Sequence, residues 1–244
     1  MLIKTGFNEA FIIDGKKKDE LIAKDPKNAE IIKPILRGRD IKRYKVEFAD
    51  LWLIATFPSL HININEYPAV KEYLQAFGKR LEQTGEKGCR KKTNHKWFEV
   101  QDNIAYHKEF EKEKIVYREI STTMDAWFDS DGFYVNNKLY IVTGENLKFL
   151  IAILNTVIFS NFILKQANIT GGKGVDFLGD IPVPRISPSA QQPFIPLVNQ
   201  ILSLKKSSPN ADTSTLEAEI DQMVYKLYGL TPKEIEIVEN SFNK

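Results

Sequence analysis

A chain of 244 residues is long enough to bury a substantial core, as one large domain or as two small ones. Its hydrophobic content of 43% and charged content of 27% are ordinary for a soluble globular protein. The formal net charge of +2 excludes a strongly basic protein, so any surface that binds a polyanion must be local.

The cysteine and histidine content excludes several kinds of site. Cys89 is the only cysteine, which rules out an internal disulfide framework and a cysteine cluster for structural zinc. His61, His95 and His107 lack metal-ligand spacing, so no metal site is predicted. No signal peptide is indicated, and a reducing, cytoplasmic compartment is expected.

Short runs rich in aromatic and branched residues predict the strands. They are Phe11–Ile13, Leu51–Phe57, Ile115–Ile120 and Leu139–Thr143. Turn-forming residues at 129–132 and 136–137 separate the last two. The middle of the chain is therefore expected to be rich in antiparallel strands.

Two helices are predicted among these strands. Apolar residues recur at three- and four-residue spacing from Val70 to Leu81, which places them on one helix face. The segment from Leu147 to Leu164 is apolar on nearly all sides but carries Lys148 and Asn155. A membrane span needs about twenty predominantly apolar positions, so this segment is predicted to be a helix of the core.

The sequence after residue 181 predicts an extended exit from the core and then a helical tail. Two prolines within 181–184 disfavour a helix there, and beyond Pro188 apolar residues recur at helical spacing, as expected for a helical hairpin with one further short helix. Two capping boxes and a stop mark the helix ends: Ser214 with Glu217, Thr231 with Glu234, and Gly229.

Basic residues concentrate between residues 79 and 96, whereas the helical tail is acidic. Within the basic run the candidates for nucleic-acid contact are Arg90, Lys91, Lys92, Asn94, His95 and Lys96. Lysine and arginine neutralise phosphates, arginine bonds guanine bidentately, and asparagine reads adenine. The alternative, which stays open, is a solvated surface loop anchored in the core by Trp97.

The turn at Arg37–Asp40 also admits two interpretations. Gly38 suggests a positive φ, and Arg37 and Arg39 on either side of it are candidates to grip phosphates. Pairing of either arginine with Asp40 or another carboxylate would instead pin the turn.

The glycine-rich segment Ile169–Gly174 is a third candidate. Its Thr170 and Lys173 would approach a nucleic-acid backbone closely, or the segment is a flexible connection. It lacks the Walker A pattern. Asp40 and Lys42 have the Asp-x-Lys spacing of many nucleases without its preceding Pro-Asp pair, so no catalytic residue is predicted.

Blocks spread over nearly the whole chain resemble, in their order, the TaqI-like C-terminal specificity domain of Type IIG restriction-modification enzymes and adenine-specific DNA methyltransferases. These blocks are 6–14, 30–41, Trp97–Gln101, Lys114–Tyr117, Gly132–Asn137, Leu150–Asn155, Ile181–Pro184 and the tail segments at 204–206, 212–214 and 224–230. The order of these blocks carries the resemblance.

The resemblance implies an α/β (α+β) fold, with a strand-rich target-recognition domain at 1–187 that has inserted helices, followed by a helical hairpin and tail at 188–244. It implies double-stranded DNA as partner, and a methyltransferase, with or without a nuclease, in cis or in trans. S-adenosylmethionine, with or without Mg²⁺, is expected to bind to that catalytic part, whose motifs do not occur in this chain. The net charge of +2 is lower than expected for a chain that binds DNA strongly without its catalytic partner.

The predicted function is therefore sequence-specific DNA recognition that directs an adenine N6-methyltransferase or a nuclease outside this chain. The rival from another class is a protein-interaction module that docks through the helical tail while the basic loop is merely solvated. A third interpretation is a nuclease that uses Asp40 and Lys42.

Overall fold

The computed structural model describes residues 3–119, 124–161 and 182–242 of the chain. Its contacts divide the chain into two compact units, each assembled from separated segments. The first consists of residues 1–37, 48–112 and 131–137, and the second of residues 38–47, 113–130 and 138–244. The predicted boundary at residue 187 falls inside the second unit, because helices of the predicted tail share that unit's core.

The mixed α/β composition expected from the sequence is confirmed. In chain order the strands are β1 (Ile12–Asp14), β2 (Ile32–Leu36), β3 (Ile41–Lys42), β4 (Lys45–Val46), β5 (Leu51–Ile54), β6 (Lys114–Arg118), β7 (Ala126–Asp129), β8 (Tyr134–Val135) and β9 (Leu139–Val142). The helices are α1 (Asn8–Phe11), α2 (Gly15–Lys24), α3 (Pro68–Gln75), α4 (Leu147–Leu154), α5 (Pro188–Gln191), α6 (Phe194–Ser207), α7 (Ser214–Leu227) and α8 (Pro232–Phe242).

The first unit is built on a four-stranded sheet of order β1-β5-β2-β8. β5 runs antiparallel to both β1 and β2, and β2 pairs with β8 in parallel. Ile3 forms a parallel bridge with Asn136, so the first described residues extend the sheet beyond β8. The carboxyl ends of β2 and β8 therefore meet beside the start of the chain.

The predicted helix from Val70 to Leu81 is shorter than expected. It begins with Pro68 at its first position and ends at Gln75, and a 3₁₀ turn spans Gly78–Leu81. Gly78 has a φ of +58°, a left-handed conformation that suits glycine and ends the α-helix.

The second unit packs its helices on an antiparallel sheet of order β7-β6-β9. The predicted continuous helix from Leu147 to Leu164 is interrupted, because α4 ends at Leu154. The Asn155 carboxamide accepts from Ala126 N at 3.1 Å and donates to Ala126 O at 2.9 Å, so it bonds β7 as a neighbouring strand would. Residues 157–161 are helical again, and residues 162–164 lie outside the described part.

The helical tail has the hairpin and further helix that the sequence predicts, with one change in capping. The capping box predicted for Ser214 and Glu217 is absent: the N-cap of α7 is Thr213, which makes no side-chain bond to the helix backbone and whose hydroxyl donates to the Glu217 side chain at 2.5 Å. The second box is present: Thr231 N donates to Glu234 Oε2, and Glu234 N to Thr231 Oγ1. No helix among the described residues is long and apolar enough to cross a membrane.

The buried ion pair of Lys114 and Asp129 crosses from β6 to β7, and neither side chain is exposed. We expect Asp129→Ala to lower the free energy of unfolding by about 3–5 kcal/mol, since it leaves an ammonium group buried without its carboxylate. Urea unfolding measures this effect. Replacing both residues, as Lys114→Met with Asp129→Leu, should recover most of the loss, and Glu113→Gln on the surface is the control. An Asp129→Ala protein as stable as the wild type would contradict this role.

Candidate nucleic-acid interface

Arg90 is buried in the first unit, where it bonds several chain segments together. It is only 4% exposed, and its five guanidinium N–H groups donate five hydrogen bonds to main-chain carbonyls. The distances to the accepting oxygens lie between 2.6 and 3.0 Å, and the acceptors are Thr5, Leu81, Trp97 and Glu99. Burial lowers the pKa of Arg90 to about 10, which leaves it cationic at pH 7.

Arg90 was predicted to contact phosphate, but in the structure all of its donors bond groups inside the protein, so none is left for a phosphate. The sequence shows a positive charge in a basic run but not the carbonyls that converge on it. The same residue joins the N-terminal segment at Thr5, the 3₁₀ turn at Leu81 and the segment 97–99. It fixes the base of the basic loop, which we define as residues 79–96.

Main-chain and side-chain hydrogen bonds close the basic loop on itself. Arg90 N donates to Glu82 O at 2.8 Å, and Thr93 N to Gln83 O at 3.1 Å. The buried Gln83 carboxamide donates to Lys96 O and Glu99 O and accepts from the Thr93 hydroxyl. Hydrogen bonds therefore join the two sides of the loop.

Gly85 contributes a close approach within this frame. Its φ is +79°, and a Cβ atom on it would lie 3.0 Å from the Cβ of Lys92. A side chain at residue 85 would be strained and would push against the opposite side of the loop. Glycine is needed for the loop to close as it does.

The outer face of the basic loop carries the cations that Arg90 does not provide. The exposed ones are Lys79, Arg80, Lys87, Lys91, Lys92 and Lys96. Within the part of the chain that the structure describes, Lys87, Lys91 and Lys92 form no ion pair, whereas Lys96 Nζ lies 3.9 Å from Glu99 Oε1. Exposed lysines on a hydrogen-bonded loop are suited to contact phosphates.

Asn94 and His95 occupy the same loop with different exposure. Asn94 is exposed, and His95 is half-buried, with its main-chain N–H donating to the Thr93 hydroxyl at 3.1 Å. Asn94 thus remains a candidate for reading a base edge, while the His95 ring has its Nδ1 atom buried without a hydrogen-bond partner among the described residues.

Arg80 is a candidate that the sequence reasoning did not select. It is exposed, yet its Cζ atom lies 5.4 Å from the ring centroid of Phe7 and 5.5 Å from that of Phe77. Its Nε donates to Phe77 O at 3.4 Å. Stacking on two rings restricts the side chain before any ligand arrives, so less rotamer entropy would be lost on binding. The sequence signal is the Phe–Gly–Lys–Arg run after α3, whereas Phe7 is distant in the sequence.

A concave pocket of about 450 Å³ lies beside Phe7 in the first unit. Its lining includes Lys4 to Glu9, Ile12 of β1 and Ile35 of β2, together with Asn136 and Asn137 directly after β8. Arg90 Nη1 donates to Thr5 O, so the segment that lines the pocket is tied to the base of the basic loop. The sequence analysis took Asn136 and Asn137 as turn residues only.

Of the other predicted site residues, the structure describes Arg37 and Arg39. Arg37 is half-buried at the end of a first-unit segment, and Arg39 is exposed in a 3₁₀ turn of the second unit. The positive φ predicted for Gly38 is absent, and glycine there is explained by Lys138, whose Cβ lies 3.1 Å from where a glycine Cβ would be. Thr170 and Lys173 lie outside the described residues.

Metal binding and Asp-x-Lys catalysis find no geometric support in the described residues. No group of three or more histidine, cysteine, aspartate or glutamate side chains among them could hold a metal ion. Asp40, the acid of the Asp-x-Lys segment, is only 3% exposed. A buried carboxylate of this kind is poorly placed to reach a phosphodiester in solution.

Comparison with known proteins gives a family and a similar fold. The family model described as "TaqI-like C-terminal specificity domain" matches residues 33–178. A solved structure, described as that of the Type IIL restriction-modification enzyme MmeI in complex with DNA, has a similar fold, with a TM-score of 0.60 and 11% sequence identity. The match covers 99% of this chain and 34% of that one, so the chain spans about a third of that protein's length. The search of curated proteins found no match.

We expect Arg90→Ala to lower the free energy of unfolding by about 3–5 kcal/mol, because four buried carbonyls lose a charged donor. Arg90→Lys should recover little of this, since three ammonium donors cannot reproduce the planar fork of five. Thermal and urea unfolding test this, with the exposed Lys91→Ala as the control of equal charge change. An Arg90→Ala protein of wild-type stability would show that the network is dispensable.

Proposed function

The chain belongs to the family of TaqI-like C-terminal specificity domains, and from this premise we propose that it recognises a specific sequence in double-stranded DNA for a restriction-modification enzyme. The observation that carries the proposal is the basic loop, an exposed row of cations on a base that Arg90 fixes. The DNA-bound enzyme of similar fold is consistent with this proposal.

The proposed mechanism separates positioning from reading. Lys79, Lys87, Lys91 and Lys92 grip backbone phosphates, which sets orientation and affinity but carries no sequence information. Asn94, and Arg80 on its aromatic rings, reach towards base edges, where one good bidentate contact discriminates by about 1–3 kcal/mol. Recognition therefore depends on the relative placement of these two sets of side chains.

The charge distribution explains how a chain of net charge +2 can bind a polyanion. Basic residues predominate in the loop of the first unit, and acidic residues predominate from Asp212 to the end of the chain. The field at the loop is thus stronger than the net charge suggests. The acidic tail, which would repel phosphate, is assigned to protein contacts.

Catalysis is assigned to a methyltransferase, with or without a nuclease, joined in cis or in trans. This chain would hold the duplex while the catalytic part flips an adenine out of the DNA and methylates it at N6. S-adenosylmethionine, and Mg²⁺ for any nuclease, would be bound by the catalytic part and not by this chain. A cytoplasmic location follows from this proposal, because restriction and modification act on DNA in the cell interior.

A second function, docking of a protein partner through the tail, is favoured by one observation. Ile237 of α8 is 60% exposed, and residues 232–241 of this helix include no buried side chain, so its apolar side chain is left uncovered. A tight, salt-insensitive protein complex that Ile237→Asp disrupts, together with negligible DNA binding, would favour docking as the main function.

The DNA-binding proposal is tested by the salt dependence of duplex binding. We expect the double variant Lys91→Ala/Lys92→Ala to weaken binding to all duplexes alike and to reduce the slope of log K against log salt by about 2, one unit for each lost phosphate contact. Titration of a labelled duplex at several salt concentrations measures both quantities.

The matched control is Lys226→Ala/Lys233→Ala, which removes the same charge from exposed positions of the tail. It should leave the slope unchanged. Equal slopes for the wild type and the Lys91/Lys92 variant would remove the basic loop from the interface.

A further inference from the structure

We propose that the pocket beside Phe7 binds a single nucleobase that has left the stack of the bound duplex, with Asn8 and Asn137 as the residues that read it. This inference rests on the proposed function and names a ligand for a cavity that phosphate binding does not use. No part of it requires the catalytic region.

The size and walls of the pocket match a nucleobase with its sugar. The volume of about 450 Å³ lies in the usual range of small-molecule sites, about 300–1,000 Å³. Phe7 and the aliphatic residues Ile3, Ile12 and Ile35 form its apolar lining. Extruded bases are held in this way, by aromatic and apolar surfaces on their faces and by polar groups at their edge.

The polar part of the lining suits a base edge better than a phosphate. Asn8, Asn136 and Asn137 line the pocket, and a carboxamide places a donor beside an acceptor, as the edge of adenine requires. The two charged lining residues, Lys4 and Glu9, have opposite signs. A pocket without excess positive charge does not favour an anion.

Asn137 is the side chain most available for this role. It is half-buried, and within the described part of the chain its carboxamide has no hydrogen-bond partner. Asn8 Oδ1 accepts from the Thr5 hydroxyl at 2.6 Å, which orients that carboxamide and leaves its NH₂ group without a partner among the described residues. A base edge would complete the bonds of the half-buried Asn137 carboxamide, and the exposed Asn8 carboxamide, oriented by Thr5, would add a second contact.

The location of the pocket connects it to the DNA-binding surface. Phe7, part of the lining, is the ring on which exposed Arg80 stacks, and Thr5 is bonded to Arg90 at the base of the basic loop. A duplex whose phosphates contact the loop would thus lie beside the pocket mouth. A base that enters the pocket would have left the stack, because a stacked base presents only its edges to a neighbouring surface.

The first test compares a fully paired duplex with the same duplex carrying one bulged adenine, whose unpaired base has little stacking to lose. We expect the full chain to bind the bulged duplex at least tenfold more tightly. Asn137→Ala should reduce this preference about fivefold or more, as expected for loss of one good base contact. Asn8→Ala should act in the same direction, whereas Asn103→Ala, an exposed asparagine of the same unit, should leave it unchanged.

The second test uses free deoxyadenosine and needs no duplex binding. Its titration should shift the NMR signals of residues that line the pocket, and Asn137→Ala should abolish the saturable shifts. Equal affinity for the two duplexes, or a preference that survives in both asparagine variants, would overturn the proposal. If neither duplex binds, the proposed function fails by itself, and the deoxyadenosine titration still decides the pocket: pocket shifts support it, and their absence overturns it.

Discussion

The buried guanidinium of Arg90 is the interaction on which the candidate interface depends. Its five donors join three segments that are separate in the sequence, at Thr5, Leu81 and Trp97 to Glu99. Arginine is suited to this because its planar fork remains charged in a buried site and can satisfy several carbonyls at once. Without it, the carbonyls would be buried unpaired and the loop would lose its base.

This arrangement places exposed lysine side chains on a hydrogen-bonded backbone. Lysine side chains lose considerable rotamer entropy when they bind phosphate, but the backbone that carries them is already ordered. The Gln83 bonds and the close approach at Gly85 hold the two sides of the loop together. The lysine side chains can thus supply affinity, while the position of the loop relative to the pocket stays constant. Base readout requires this constant position.

Local patterns in the sequence predicted local structure well. The aromatic and branched runs at β1, β5, β6 and β9 correspond to strands, and the apolar periodicity of α6 and α7 corresponds to tail helices. β2 was not predicted, because Pro34 interrupts its pattern and its parallel partner β8 lies about a hundred residues later in the chain. The interleaving of the two units depends on such long-range pairs, which no local signal reports.

The candidate site was predictable in its charge and not in its geometry. The sequence shows that Arg90 and Lys91 are both basic, but only the fold shows that the first is buried among carbonyls and the second is exposed. In the same way, Asn137 is typical of a turn by its residue type, whereas its place beside Phe7 arises because the strand after which it lies pairs with β2. Residue type predicts chemistry; convergence of distant segments decides where that chemistry is used.

Selection from a pool of random DNA duplexes, with sequencing of the retained fraction at low and near-physiological salt, most directly tests whether this chain reads DNA sequence. If the basic loop positions the duplex and neighbouring side chains read it, the retained fraction will contain an enriched motif of a few base pairs at both salt concentrations, although less DNA will be retained at the higher one. Retention without any motif, lost as salt rises, would show backbone binding alone and would contradict sequence recognition by this chain.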